Sequence, residues 1–315
     1  MKKNKRYDSQ YFVAAGISLL LLTAVFQLSA RTLPGFGTWY AHHIYPWIVE
    51  GVGRLTGLLP FSVAEMGLYG LLCLLFLDVV RLSAVLIRPE TAKILTVIGR
   101  RWLLIVGTLL FLYTVNCGIN YYASSFSSYA GLEDGTYTVE ELEALCSDLV
   151  ELVNESAKSG RQFYRENRSA WRAEAVTAMQ AAGEQFSCLG GFYPKPKEVL
   201  VSQILSVQQL CGVYSPFTVE ANYNGDMPDY NVPHTLCHEL SHLKGFMRED
   251  EANFIGYLAC ISSENEAFRY SGYLTGWVYA GNALARADRK RYIELTNELC
   301  EEARTDLDAN SEFWN

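Results

Sequence analysis

The chain contains no Cys-x-x-Cys pair, no glycine-rich phosphate-binding loop, no internal repeat and no low-complexity segment. The first absence excludes a thioredoxin-type redox site and the usual zinc ribbons; the second excludes a P-loop or dinucleotide fold. Without repeats the sequence does not read as a solenoid, and no stretch reads as a low-complexity linker. Histidine is scarce, with five in 315 residues. That scarcity makes their placement informative, because three of them, His234, His238 and His242, recur at four-residue intervals.

His238-Glu239-Leu240-Ser241-His242 is an HExxH pattern, which composition alone would produce in about one such chain in two hundred. On a helix, residues four apart lie one above the other, so both imidazoles can reach one metal ion while Glu239 stands beside its water. A metal lowers the pKa of bound water to about 7, and a neighbouring carboxylate then takes the proton. Pro233 suits a helix start and Gly245 a helix stop.

A catalytic zinc site takes three protein ligands and leaves one position open. The acidic cluster Glu249-Asp250-Glu251 opens the next predicted helix. If that helix starts near Glu249, Asn253 falls one turn later, placed to hold a histidine ring, and Glu251 points away. Glu249 is therefore the expected third ligand and Glu251 its substitute. His234 and His242 would stand about 12 Å apart along the helix axis, too far for one ion. His234 is expected instead at the helix start, behind the ligands, or against substrate. Tyr270 and Tyr273 are candidate hydroxyls for an oxyanion, with Arg269 an alternative.

HExxH followed by Glu-x-x-x-Asn is similar to the gluzincin pattern, with Asn253 where many gluzincins carry Asp. The stretches Pro216–Asn222, His238–Asn253, Leu59–Val63 and Tyr270–Leu274 together resemble an uncharacterised family of bacterial multi-pass membrane proteins, domain of unknown function 3810. That family is regarded as HExxH zinc peptidases. The resemblance implies one catalytic zinc ion, a zincin-like domain and peptide or protein substrates.

Tyr11–Ala30 and Trp102–Tyr122 are free of charge, and Pro60–Val80 carries only Glu65 and Asp78. Each is long enough to cross about 30 Å of hydrocarbon. Three transmembrane helices are thus predicted, at about 11–30, 60–80 and 102–122, forming a membrane domain over 1–122. Asp78 is expected to pair with Arg81. Lys2, Lys3, Lys5 and Arg6, with Arg81, Arg88, Lys93, Arg100 and Arg101, flank one side; only Arg31 and Arg54 flank the other. The cation bias places the N-terminus in the cytoplasm and residues 123–315 outside it. Residues 1–122 carry net charge +6 and residues 123–315 net −14, which argues against nucleic acid or anionic lipid headgroups as the main partner of the outer part; the spans make the lipid bilayer a partner, and the resemblance implies a peptide or protein substrate. The charged flanks of the motif keep the site out of a span, near the bilayer surface.

The fold class expected is mainly α, with little β-structure. Thr138 and Glu141 read as a capping box opening a helix, followed by helices at about 169–187, 197–210, 234–245, 249–262, 265–286 and 288–308. Ser215–Asn224 alternates apolar and polar residues and reads equally as a substrate-holding strand or as an ordinary hairpin or loop. Six cysteines, 146, 188, 211, 237, 260 and 300, permit up to three disulfides or remain buried thiols. The function expected is a membrane-anchored zinc peptidase acting on extracytoplasmic or membrane-proximal substrates; the alternative is a non-catalytic zinc-binding receptor or scaffold.

Overall fold

A computed structural model describes residues 2–86, 91–132, 135–166 and 170–315. It is 75% helical and 3% strand, so the chain is mainly α, with apolar helices first and a helical domain after them. Arg88 and Ser169, the first a flanking cation and the second an expected helix start, lie outside the described residues.

Helix α1 (Lys2–Thr32) is followed by two short helices, α2 (Phe36–His43) and α3 (Tyr45–Gly57), then α4 (Val63–Ser83) and α5 (Thr91–Tyr113). A π turn at Thr114–Gly118 and a 3-10 turn at Asn120–Tyr122 extend α5. Three stretches, Gln10–Thr32, Val63–Ser83 and Thr91–Tyr122, are long and apolar enough to cross a membrane. Helices α1 and α5 run side by side in the same direction. A Cβ on Gly107 would stand 2.8 Å from the Gly16 carbonyl oxygen, so only glycine lets the two backbones touch here. Higher up, Gln27 Nε2 donates to Thr114 Oγ1 at 3.3 Å and Arg31 Nε to the Tyr122 hydroxyl at 3.0 Å. Asp78 does not pair with Arg81. Its carboxylate turns to the adjacent span, where it binds Arg101 and accepts from Trp102 Nε1 at 2.8 Å; a buried carboxylate amid apolar helices gains more from a partner that also bridges two spans.

Helices α2 and α3 have no counterpart among the elements read from the sequence. Tyr40, Tyr45 and Val49 are buried, and Tyr45, Val49 and Val52 do stand at helical spacing.

The second part opens with α6 (Phe126–Ala130), α7 (Val139–Glu166) and α8 (Trp171–Gln185). The capping box forms as expected: Glu141 N–H donates to Thr138 Oγ1 at 3.1 Å, and Thr138 N–H to Glu141 Oε2 at 2.8 Å. The helix expected over 197–210 is replaced by strand β1 (Lys197–Glu198) and a short α9 (Gln203–Val207). Long-range pairing wins over local propensity, because the Glu65 carboxylate accepts the N–H groups of Leu200 and Val201 at 2.8 and 3.0 Å. Strands β2 (Gly212–Ser215) and β3 (Glu220–Tyr223) form a hairpin, so the alternating stretch 215–224 is split by a turn with Val219 at φ 55°. The sheet order is β1-β3-β2: β1 pairs parallel to β3, and β2 pairs antiparallel with Ser215 opposite Glu220.

Five helices complete the chain: α10 (Asn231–His242), α11 (Glu249–Ile261), α12 (Glu266–Ala287), α13 (Arg289–Glu298) and α14 (Glu301–Trp314). The helix expected over 288–308 breaks at Leu299 and Cys300. Asn154 supplies the reason: its Oδ1 accepts Cys300 N–H at 2.7 Å and its Nδ2 donates to the Glu298 carbonyl at 2.9 Å, satisfying both loose ends. Helix α10 runs through the middle, with Val232, Leu236, Cys237 and Leu240 fully buried against α8, α11, α12 and the sheet. The six cysteines of this part are free thiols; Cys146, Cys237 and Cys260 are buried.

The two parts share polar contacts as well as chain. The Glu220 carboxylate accepts Val63 and Ala64 N–H at 3.2 and 2.9 Å, at the first turn of α4. Asn116 Nδ2 donates to the Pro216 carbonyl at 2.6 Å, and the Tyr45 hydroxyl donates to the His242 carbonyl at 3.0 Å.

Candidate metal centre

The HExxH residues sit in the last two turns of α10, and the following turn decides their geometry. Gly245 takes φ 92°, a left-handed conformation that glycine adopts without strain. The chain reverses there and brings the Phe246 carbonyl under His242, whose Nδ1 donates to it at 2.7 Å. Phe126 packs edge-on against Phe246 and Phe254, fixing that reversal between α10 and α11.

Helix α11 then presents Glu249 and Asn253 from successive turns. His238 Nδ1 donates to Asn253 Oδ1 at 2.8 Å, and its Nε2 lies 3.1 Å from Glu249 Oε2; His242 Nε2 lies 3.9 Å from Glu249 Oε1. Both rings therefore keep a proton on Nδ1 and turn Nε2 inward, where the His238 Nε2 is protonated as well when it bonds the Glu249 carboxylate. Among the described residues, His238, His242 and Glu249 form a trio whose donor atoms lie within 4.8 Å of one another. The imidazoles are nearly buried, whereas the Glu249 side chain is 73% exposed, so the trio is open on one side.

Glu239 is 4% exposed, and its Oε2 has no hydrogen-bond partner. Gly212 of β2 presses against its other oxygen; a Cβ there would stand 2.5 Å from Oε1. Burial pushes the Glu239 carboxyl up to about 8, against the pull of His238, and a nearby cation would favour the ionised form again. Burial also lowers His238, but its bond to Glu249 and the charges of Glu239 and Glu249 outweigh that and leave it raised. The same bond holds Glu249 below the usual carboxylate range. His242 falls to about 4 through burial and the charge of His238. An unpartnered buried carboxylate oxygen, two inward imidazole nitrogens and a bridging carboxylate make a donor set that suits a divalent ion.

His234 belongs to the supports. Burial lowers it to about 4, and its Nε2 meets the Asn253 backbone carbonyl at 3.0 Å, so His234 and His238 together clamp Asn253. Gly256 gives α11 room for this ring, since a Cβ there would stand 3.1 Å from His234 Nε2. Glu251 turns away: it accepts Phe126 N–H at 3.2 Å and lies 3.7 Å from Arg248. Tyr270 and Tyr273 lie off the site. The Tyr270 hydroxyl donates to Asp306 at 2.7 Å deep in the fold, and Tyr273 packs against the core. Arg269 is engaged by the Ser263 and Glu264 carbonyls. The face of α12 that borders the site carries Thr275, Val278 and Tyr279 instead. Tyr279, half-exposed and beside Asn253, is the hydroxyl missed in the sequence; its 275/278/279 spacing marks a helix face but not which face meets the metal helix.

These groups line a cleft of about 640 Å³, together with β2 residues Gly212 to Tyr214 and, from the end of the α5 rod, Tyr113, Cys117 and Tyr121. Asn224 N–H bonds the Cys211 carbonyl at 2.8 Å. Antiparallel alternation then turns the backbone groups of Gly212 and Tyr214 outward from the free edge of β2.

Replacing Asn253 with Ala removes the acceptor that orients His238. The expected result is zinc affinity about 10- to 100-fold weaker, measured by competition with a chelating dye, with helical circular dichroism unchanged.

Fold and site define a mainly helical protein with three membrane-type helices and a histidine–histidine–glutamate cluster on a central helix pair. The chain belongs to the family described as Protein of unknown function (DUF3810), whose model matches residues 40–315. No curated protein and no solved structure matches it.

Proposed function

We propose that this protein is a zinc-dependent peptidase anchored in the membrane, with its active site on the extracytoplasmic side. The observation that carries the reading is the convergence of His238 Nε2, His242 Nε2 and a Glu249 carboxylate oxygen within 4.8 Å, beside a buried Glu239 with a free oxygen. His238, His242 and Glu249 would hold a zinc ion, which when bound would acidify a water and polarise a peptide carbonyl. Glu239 takes a proton from water on Oε2 and returns it to the leaving amine nitrogen. Asn253 and the Phe246 carbonyl keep both imidazoles in the tautomer that presents Nε2. The outward N–H and C=O groups of Gly212 and Tyr214 pair with an extended peptide as an added strand, and Tyr279 offers a hydroxyl from the opposite wall.

Three donors with an exposed side favour an enzyme over a zinc-holding scaffold, which would close the site with a fourth protein ligand. The extracytoplasmic assignment rests on the cations flanking the apolar stretches, concentrated before the first stretch and between the second and the third. Metal analysis tests the ligand set. The purified parent is expected to hold about one zinc per chain, and His238→Ala to lose it; stoichiometric zinc in that variant would mean that other residues bind the ion.

A further inference from the structure

We infer that the substrate is a polypeptide anchored in the same bilayer and cut within a few residues of its anchor; the inference rests on the peptidase reading above. It comes from where the cleft stands relative to the apolar helices.

Two internal rulers fix that level. Along the first, Gly16 meets Gly107 and Arg31 meets Tyr122, so Tyr122 lies level with the first charge after the charge-free stretch Tyr11–Ala30. Tyr113 is nine positions earlier, which at α-helical rise is about 13 Å further into the hydrocarbon. Along the second, Glu220 binds the first turn of α4 and pairs across the hairpin with Ser215. The next residue, Pro216, binds Asn116, so Asn116 stands level with Val63, where the apolar stretch of α4 begins. At the other end, Asp78 with Arg101 agrees with this register, since each lies fifteen positions from its partner in the first contact. On this ruler Tyr113 is about 5 Å inside. Both rulers submerge it.

Tyr113, Cys117 and Tyr121, which follow one another through the π and 3-10 turns at the end of α5, all line the cleft that holds the candidate metal donors. The edge strand is tied to the same level, because the Tyr214 hydroxyl donates to the Asn116 carbonyl at 3.1 Å. The cleft thus straddles the hydrocarbon boundary: one part of its lining is the outer end of a membrane helix and another part carries the donors. Tyr113 and Tyr121 are each more than two-fifths exposed, and their rings would rest against an apolar anchor while keeping the hydroxyls toward the headgroups. A soluble peptide reaches the donors but leaves this stripe uncovered. An anchored chain covers it and, at about 3.4 Å per extended residue, places a bond two to four residues beyond the anchor at the donors.

The test uses the full chain in phosphatidylcholine liposomes loaded with zinc. One reporter sequence is presented without an anchor, or joined to a twenty-residue Leu/Ala transmembrane anchor through a spacer of about three or about twelve residues. The short-spacer substrate is expected to be cut at least tenfold faster than the long-spacer one, which shares its membrane concentration. Equal rates for both anchored substrates and the free peptide would overturn the inference while leaving the peptidase reading intact. A second readout needs no turnover. With benzoylphenylalanine in place of Tyr113 in the Glu239→Gln protein, light should crosslink the short-spacer substrate and not the free peptide. Absence of that crosslink would overturn the inference. Crosslinking without cleavage of any substrate by the parent would uphold the docking surface and refute the peptidase.

Discussion

Glu239→Gln is expected to keep the zinc content of the parent and lose about 10²- to 10⁴-fold in peptide hydrolysis. The amide matches the carboxylate in size, which matters because Gly212 leaves no room beside Oε1. It cannot accept and return a proton as the carboxylate does. Neither Nε2 nor the Glu249 carboxylate touches Glu239 in a bond that the change removes, so metal binding has no direct reason to fall. Peptide-library cleavage by both proteins, with metal content measured on the same samples, separates the two effects. A variant that cleaves as fast as the parent would end the assignment of Glu239 as the base; one that loses zinc as well would make its role that of a support.

The HExxH helix was legible in the sequence because its information is local. Four-residue spacing stacks His238 on His242 whatever the tertiary fold, and a helix start at Glu249 carries Asn253 with it. The neighbourhood was not legible, for reasons that differ from place to place. Tyr270 and Tyr279 share a helix but lie on opposite faces and about two and a half turns apart, and the face of α12 that meets α10 is set by packing between elements distant in sequence. Lys197 and Glu198 read as helix until β3 is there to pair with. The turn that splits 215–224 opens on Pro216, which does signal a break, but it requires a positive φ at Val219, a conformation that a β-branched residue rarely adopts. Helices α2 and α3 carry aromatic residues on two faces: Tyr40 and Tyr45 are buried while Trp39 and Trp47 are exposed. The pattern blurs the periodicity by which an amphipathic helix is recognised, and exposed tryptophans flanking a span suit a bilayer interface.

Glu220→Ala should be the most destabilising single change outside the metal centre. Glu220 is 2% exposed, and its carboxylate serves the Lys197 ammonium as well as the Val63 and Ala64 N–H groups. Lys197, 4% exposed, also donates to the Thr56 carbonyl at 2.7 Å. Truncating Glu220 strands a buried ammonium and leaves two N-terminal helix donors unpaired, a loss of about 3–5 kcal/mol. For a chain of this size that lowers the melting temperature by on the order of 10 °C. Restoring neutrality with Lys197→Met in the Glu220→Ala background should recover part of the loss, because burying a hydrophobic side chain costs less than burying an unpaired charge. The helix donors at Val63 and Ala64 remain unpaired, so recovery stays incomplete. Thermal melts of the parent, both single variants and the double variant form a cycle whose coupling energy isolates the pair. Additive losses would show that the Lys197–Glu220 ion pair adds nothing to the stability of the sheet beyond the separate contacts of its two members. Because Glu220 lies opposite Ser215, the same variant loosens the strand whose free edge borders the cleft, and hydrolysis should fall below the parent rate even at temperatures where the protein remains folded. Activity that persists unchanged under those conditions would separate the membrane anchorage of the sheet from the work of the cleft.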